Sequence, residues 1–271
     1  MDEANNMHIL TAYIEGLGLL GPGLNDWPSS MGILTRQIPY QTSPTILPPP
    51  LSLPAAERRR SSDIVKLTLA TGLEAVAAAG QNAMHLSSVF SASGGDGNNC
   101  HEICQMLASE DRQISPTRFH NSVHNAAAGY WSIATGAMTS SSVLCAHDGS
   151  FGAGLLEAMS QAVVDIKHIL LMACDTPYPE PLHGARPIQD SFGIALVLAP
   201  ESSAKSLTKI SVSLTDAAAD QIDDATLEKL RLTIPAARSL PLLHQIALRR
   251  VGHVVLDYLD SARLAVDVSP C

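Results

Sequence analysis

The arrangement of apolar and polar residues centres on the stretch Thr139–Asp175, around which the chain is organised. Ser140-Ser141-Ser142-Val143-Leu144-Cys145-Ala146 mixes serines with β-branched and apolar residues, which predicts a strand. His147-Asp148-Gly149-Ser150 follows as a turn, where Gly149, Gly152 and Gly154 permit a tight reversal and close packing. Leu155, Leu156, Met159 and Val163 recur at helical spacing, so Phe151–Asp165 reads as a helix with one buried face. The run Ile169-Leu170-Leu171-Met172-Ala173 has no polar residue and fits a strand covered on both sides. Strand, sharp turn, helix and buried strand make the layout of a nucleophile elbow, which carries a reactive side chain at its turn.

The rest of the chain alternates strands with helices. Met7–Ile14 predicts a first strand, followed by the glycine-rich loop Glu15–Gly23, which lacks the Gly-Lys-Ser/Thr of a phosphate loop. Trp27–Ala56, with Pro48-Pro49-Pro50, predicts an extended surface excursion. Ser61 or Ser62 caps a helix that carries Val65, Leu69, Leu73 and Val76 and ends at Gly80. Leu86–Ser91 is a strand running into Ser93-Gly94-Gly95-Asp96-Gly97. Cys100-His101-Glu102-Ile103-Cys104 follows on a helix; with no second cysteine pair to match, these residues read as helix packing rather than metal ligands. After the loop Ser115–His120, Val123–Thr135 is a helix rich in small residues, open to another backbone at an interface or within its own domain. Pro177–Arg186 is a loop, Phe192–Leu198 and Lys209–Leu214 are strands, Leu227–Ile234 and Leu240–Asp260 look helical, and Leu264–Val268 is a last strand. The order predicts an α/β layered fold with a mostly parallel central sheet, a main domain over residues 1–204 and a C-terminal α/β extension over 205–271 packed on it.

Chemistry at the elbow turns on its apex. Catalysis there needs a nucleophile activated by a base, yet the apex is Asp148, flanked by His147 and Ser150. A carboxylate at that point has a simple structural use, accepting from the free N–H groups of the following helix. A stand-alone acyltransferase or hydrolase using Ser150 or Cys145 with His147 is the enzymatic alternative. Neighbours on an elbow rarely face each other, however, and Gly-x-Ser-x-Gly is absent.

Composition narrows the class. Hydrophobic residues make up 46% and aromatics 4%, so the core is aliphatic and alanine-rich. A net charge of -9 argues against nucleic-acid binding; Arg58-Arg59-Arg60 is too short to reverse it and reads as a solvated turn. The acidic N-terminus has no signal-peptide pattern, and no apolar run approaches the roughly 18 residues of a membrane span. Five cysteines do not suggest a disulfide framework, which points to reduced thiols in the cytosol, and no cofactor motif is present.

The segments from Ile14-Glu15-Gly16-Leu17-Gly18 through Val89–Gly97, Ser115-Pro116, Asn125-x-x-Ala128-Gly129, Gly136, the elbow, Leu170–Ala173 and Asp190-Ser191-Phe192-Gly193 come in a telling order. Over roughly Met7–Pro200 this order resembles the N-terminal half of a β-ketoacyl synthase of the thiolase fold. The resemblance implies a half-ketosynthase α-β-α sandwich and puts the family's nucleophilic cysteine at Asp148. The two histidines that a second half-domain supplies have no counterpart here, and His244 and His253 read as helix residues. Ketosynthase relatives without the cysteine are chain length factors, which pair with a catalytic ketosynthase and shape its acyl tunnel in aryl polyene, polyketide or fatty-acid-like pathways. This implies a non-catalytic heterodimer subunit that meets an acyl carrier protein through the complex; a bare assembly scaffold is the alternative. Such folds dimerise through the strand before the elbow. The implied interface and tunnel residues are therefore Ser140, Ser142, Val143 and Cys145, flanked by Asn125, Ala128 and Gly129, with Arg118, Phe119 and His120 approaching the tunnel. A homodimer, or a monomer whose edge is covered by Leu240–Val268, is the plainer expectation.

Overall fold

A computed structural model describes residues 9–271; Met7 and His8 of the expected first strand lie outside them. The strands are β1 (Leu10–Leu20), β2 (Ser87–Ser91), β3 (Ser141–Leu144), β4 (Ile169–Asp175), β5 (Phe192–Ala199), β6 (Thr208–Thr215), β7 (Gly252–Asp257) and β8 (Arg263–Pro270). The helices are α1 (Trp27–Leu34), α2 (Ala55–Arg58), α3 (Asp63–Ala79), α4 (Gly97–Ala108), α5 (Pro116–Asn121), α6 (Ala126–Thr135), α7 (Ser150–Asp165), α8 (Leu182–Ala185), α9 (Ala225–Thr233) and α10 (Leu240–Leu248).

All the strands join one eight-stranded sheet in the order β3-β2-β4-β5-β1-β6-β8-β7. β1, β2, β3, β4 and β8 point one way and β5, β6 and β7 the other, so the sheet is mostly parallel by direction. Parallel neighbours, though, occur only at β3-β2-β4, and every other pairing is antiparallel. The reason is the connections. Between β4 and β5 the chain runs through the Pro-rich segment 176–191, whose one short helix, the four-residue α8, does not form the packed crossover helix of a parallel βαβ unit.

The sheet divides two cores. Along β4, Ile169, Leu171 and Ala173 pack toward α1, α7 and α10, while Leu170, Met172 and Cys174 pack toward α3 and α6. β5 alternates in the same way, Ile194, Leu196 and Leu198 against Ala195 and Val197. This period-two division of apolar residues produces an α-β-α sandwich.

Several expectations need correction. β1 continues through Glu15–Leu20 in place of the expected glycine-rich loop, and Pro116–Asn121 and Leu182–Ala185 form the short helices α5 and α8 within the expected loops. The excursion after Trp27 begins as helix α1, because Asp26 accepts from the Ser29 N–H at 2.7 Å, Pro28 suits the first turn, and Trp27, Ser30 and Leu34 are buried. Only residues 39–50 are irregular throughout. The helix expected over Leu240–Asp260 stops at Leu248, where Arg249 adopts a left-handed φ of 50°. The β-branched Val254 and Val255 then continue as strand β7, which makes His253 a strand residue, hydrogen-bonded to Asp267 at 2.8 Å. Residues beyond 205 extend the same sheet, since β6 pairs with β1.

Candidate functional site: the elbow and the β3 edge

β3 leads through a 3-10 turn, His147–Gly149, into α7. His147 sits at φ 50°, the strained geometry of a sharp elbow. A Cβ on Gly149 would lie 1.8 Å from the Tyr258 carbonyl oxygen, and one on Gly152 would lie 2.3 Å from that of Asp257. Glycine is thus required for the β7–β8 hairpin to lie directly against the turn. Leu155 and Met159 are fully buried on the core face of α7, and Val163 is half-buried.

Asp148 does not cap α7, whose N-terminus receives no side-chain hydrogen bond. It is drawn instead into an alternating chain of charges. Asp148 accepts from Arg186 at 2.7 Å and from Arg238 at 3.2 Å. Arg238 also pairs with Asp257 at 3.0 Å, Asp257 with Arg231 at 2.7 Å, and Arg231 with Glu228 at 2.7 Å. Hydrogen bonding from Arg231 holds the Glu228 carboxyl below its ordinary range. The capping expectation fails because two guanidiniums outbid single amide donors for a carboxylate. The partners were invisible in the sequence: they lie 38 and 90 residues away from Asp148 and form no spaced motif with it.

The remaining elbow residues are also engaged. The His147 ring nitrogen Nε2 lies against the Arg186 guanidinium, so the imidazole is tied to the same arginine that holds Asp148. Ser150 is buried; its hydroxyl donates to the His147 carbonyl at 2.7 Å and accepts from the Ala146 N–H at 3.0 Å. That hydroxyl closes the turn and makes no pair with the imidazole. Cys145 is exposed, its thiol directed at the Ser93 carbonyl at 3.0 Å. Beneath the elbow, Asp175 at the end of β4 accepts from the Ser93 N–H and hydroxyl at 2.8 and 2.6 Å and from the Ala236 N–H at 2.8 Å. Burial raises its pKa to about 6 despite these donors.

β3 is the terminal strand of the sheet and pairs only with β2 among the described residues. The carbonyls of Ser140 and Leu144 accept from Ser88 and Ala92 of the β2 side. Since a residue's N–H and C=O point the same way across a strand, the intervening Val143 directs its backbone groups outward. Val143 and Leu144 are half-buried against opposite cores. Ser140 donates to the Ser87 hydroxyl at 3.0 Å, and Ser142 accepts from Gln161 at 3.0 Å. On α6, Asn125, Gly129 and Ile133 share an exposed face, and a Cβ on Gly129 would meet nothing within 4 Å, whereas Ala128 faces inward. Phe119 on α5 is 68% exposed and His120 is exposed, while Arg118 is ion-paired with Glu102. The alternative of an edge covered by Leu240–Val268 is contradicted by the strand order, which puts β8 and β7 at the other end of the sheet.

The cysteines expected to be helix-packed, Cys100 and Cys104, are exposed on α4. No group of three or more His, Cys, Asp or Glu side chains among the described residues suits a metal. No helix among them is long and apolar enough to cross a membrane.

Comparison with known proteins gives this constellation a family. The sequence profile described as "Beta-ketoacyl synthase, N-terminal domain" matches residues 35–250, and the chain belongs to that family. No curated protein sequence matches it. Among solved structures, it is similar to a chain of the ketosynthase (ApeO) in complex with its chain length factor (ApeC) from Xenorhabdus doucetiae, with a TM-score of 0.71, 22% identity, and coverage of 95% of this chain and 99% of that one. The ishigamide ketosynthase/chain length factor follows at 0.69, 13%, 96% and 99%. A chain of AntDE:AntF, a type II PKS acyl-carrier protein in complex with its ketosynthase, gives 0.76, 11%, 97% and 100%. The fold is accordingly that of thiolase-like ketosynthases.

Proposed function

We propose that this chain is a chain-length-factor-like subunit that performs no acyl chemistry itself and pairs with a catalytic β-ketoacyl synthase through the outer edge of β3. The observation that carries the reading is a combination. A strand edge with outward backbone groups adjoins an elbow whose nucleophile position holds an aspartate neutralised by two arginines. An unpaired edge invites a strand from another chain. A carboxylate held between two guanidiniums is a weaker nucleophile than the thiolate a thioester transfer uses. In the complex, the α6 face of Asn125 and Gly129 flanks the new strand pair, and Arg118, Phe119 and His120 approach the partner's tunnel, where Phe119 helps close its floor. An acyl carrier protein engages the pair through the ketosynthase, in the cytoplasm, during polyketide, aryl polyene or fatty-acid-like chain building. The likeness to ketosynthase/chain length factor structures supports this assembly.

The test is co-expression with a ketosynthase encoded beside this chain. Co-purification, a product length that changes when Phe119→Ala is introduced, and no acyl adduct on this chain by mass spectrometry are expected. A stable acyl adduct on Cys145 or Ser150, or product length indifferent to this subunit, overturns the reading.

A further inference from the structure

We propose that Cys100 and Cys104 form a two-thiolate chelate for a soft cation of the copper(I) type. Both thiols are free and exposed, four residues apart on the twelve-residue α4. That spacing puts them on one helix face with Cβ atoms about 5–6 Å apart. A disulfide needs Cβ atoms about 3.5–4.5 Å apart, so closing one would distort the helix. Two metal–sulfur bonds of about 2.3 Å in line span about 4.6 Å between sulfurs, which the undistorted helix accommodates. The spacing selects a bridging ion over a direct bond.

Metal chemistry adds to the geometry. Thiolate donors favour copper(I) among the common ions. No third donor of the His, Cys, Asp or Glu type completes a site among the described residues. Four-coordinate zinc is therefore left unsatisfied, whereas copper(I) is complete with two sulfurs in line. Binding replaces two S–H bonds by two Cu–S bonds, leaves the metal's oxidation state unchanged and releases two protons.

The experiment titrates the reduced full-length chain, without oxygen, with copper(I) held by the colorimetric chelator bicinchoninate. One ion per chain should leave the chelator, with release of two protons. Cys100→Ser and Cys104→Ser should each weaken the transfer about 100-fold while far-ultraviolet circular dichroism stays the same. Cys271→Ser should leave it unchanged. Single-serine variants on α4 that keep the wild-type affinity, or a wild-type chain that draws no copper from the chelator, overturn the proposal.

Discussion

The two ends of the sheet are finished differently. At one end β7 turns the backbone groups of Val255 outward, and the chain itself fills them: the Val255 N–H donates to the Asp220 carboxylate at 2.7 Å, and the Asp220 N–H donates to the Val255 carbonyl at 2.9 Å. At the other end β3 directs Val143 outward, and nothing among the described residues meets it. Met138, just before β3, is bare too, 92% exposed. A fold that plugs one edge with an aspartate has the means to plug the other. The contrast is what makes the open edge informative about a partner.

That contrast yields tests of graded size. Val255→Pro strikes the closed edge, deleting a satisfied donor inside a buried strand, and should cost about 3 kcal/mol or more in urea unfolding of the isolated chain. Beneath the open end lies Asp175, whose folded pKa of about 6 exceeds its unfolded value of 3.8. The protonated acid favours the fold, so its contribution is fully present below the unfolded value and is lost as pH rises through the folded one. Relative to wild type, Asp175→Asn should gain about 2–3 kcal/mol in unfolding free energy between about pH 4 and pH 7. Asp220→Ala unplugs the closed edge and should cost about 1–3 kcal/mol, with self-association in sedimentation if β7 becomes the new sticky strand. Val143→Pro removes only an outward donor, so the isolated chain should lose about 1 kcal/mol or less while ketosynthase binding falls at least about tenfold. Equal losses of stability from Val143→Pro and Val255→Pro would erase the distinction between the edges. Smallest of all, Asp148→Asn should cost about 0.5–1 kcal/mol, shrinking with added salt, since the carboxylate is 43% exposed and solvent screens its pairs.

Local signals were readable in the chain and long-range ones were not. Gly149, Gly152 and the spacing of Leu155 and Met159 announced the elbow, because turn geometry and helix periodicity act over a few residues. The apolar run of β4 announced a strand covered on both faces for the same reason. The antiparallel direction of β5 is set by where the segment 176–191 returns the chain, which is a long-range property. β7 looks helical because the break at Arg249 carries no Pro and only a single Gly, at Gly252, before the β-branched Val254 and Val255 resume. The surroundings of Asp148 were beyond reach: Arg186, Arg238 and Asp257 become neighbours only once three separate segments close over the turn. The free edge of β3 entered through the family resemblance, and the strand order then displayed it.

The alternation along β4 has a kinetic consequence. Its residues are shared walls of both cores, odd-numbered side chains serving one and even-numbered the other, and it is hydrogen-bonded on both sides to β2 and β5. Neither layer can open locally without stripping the strand of half its packing. The amides of Leu170 through Cys174 should therefore exchange with deuterium only when the whole molecule unfolds, and they mark the last cooperative unit to surrender its protons.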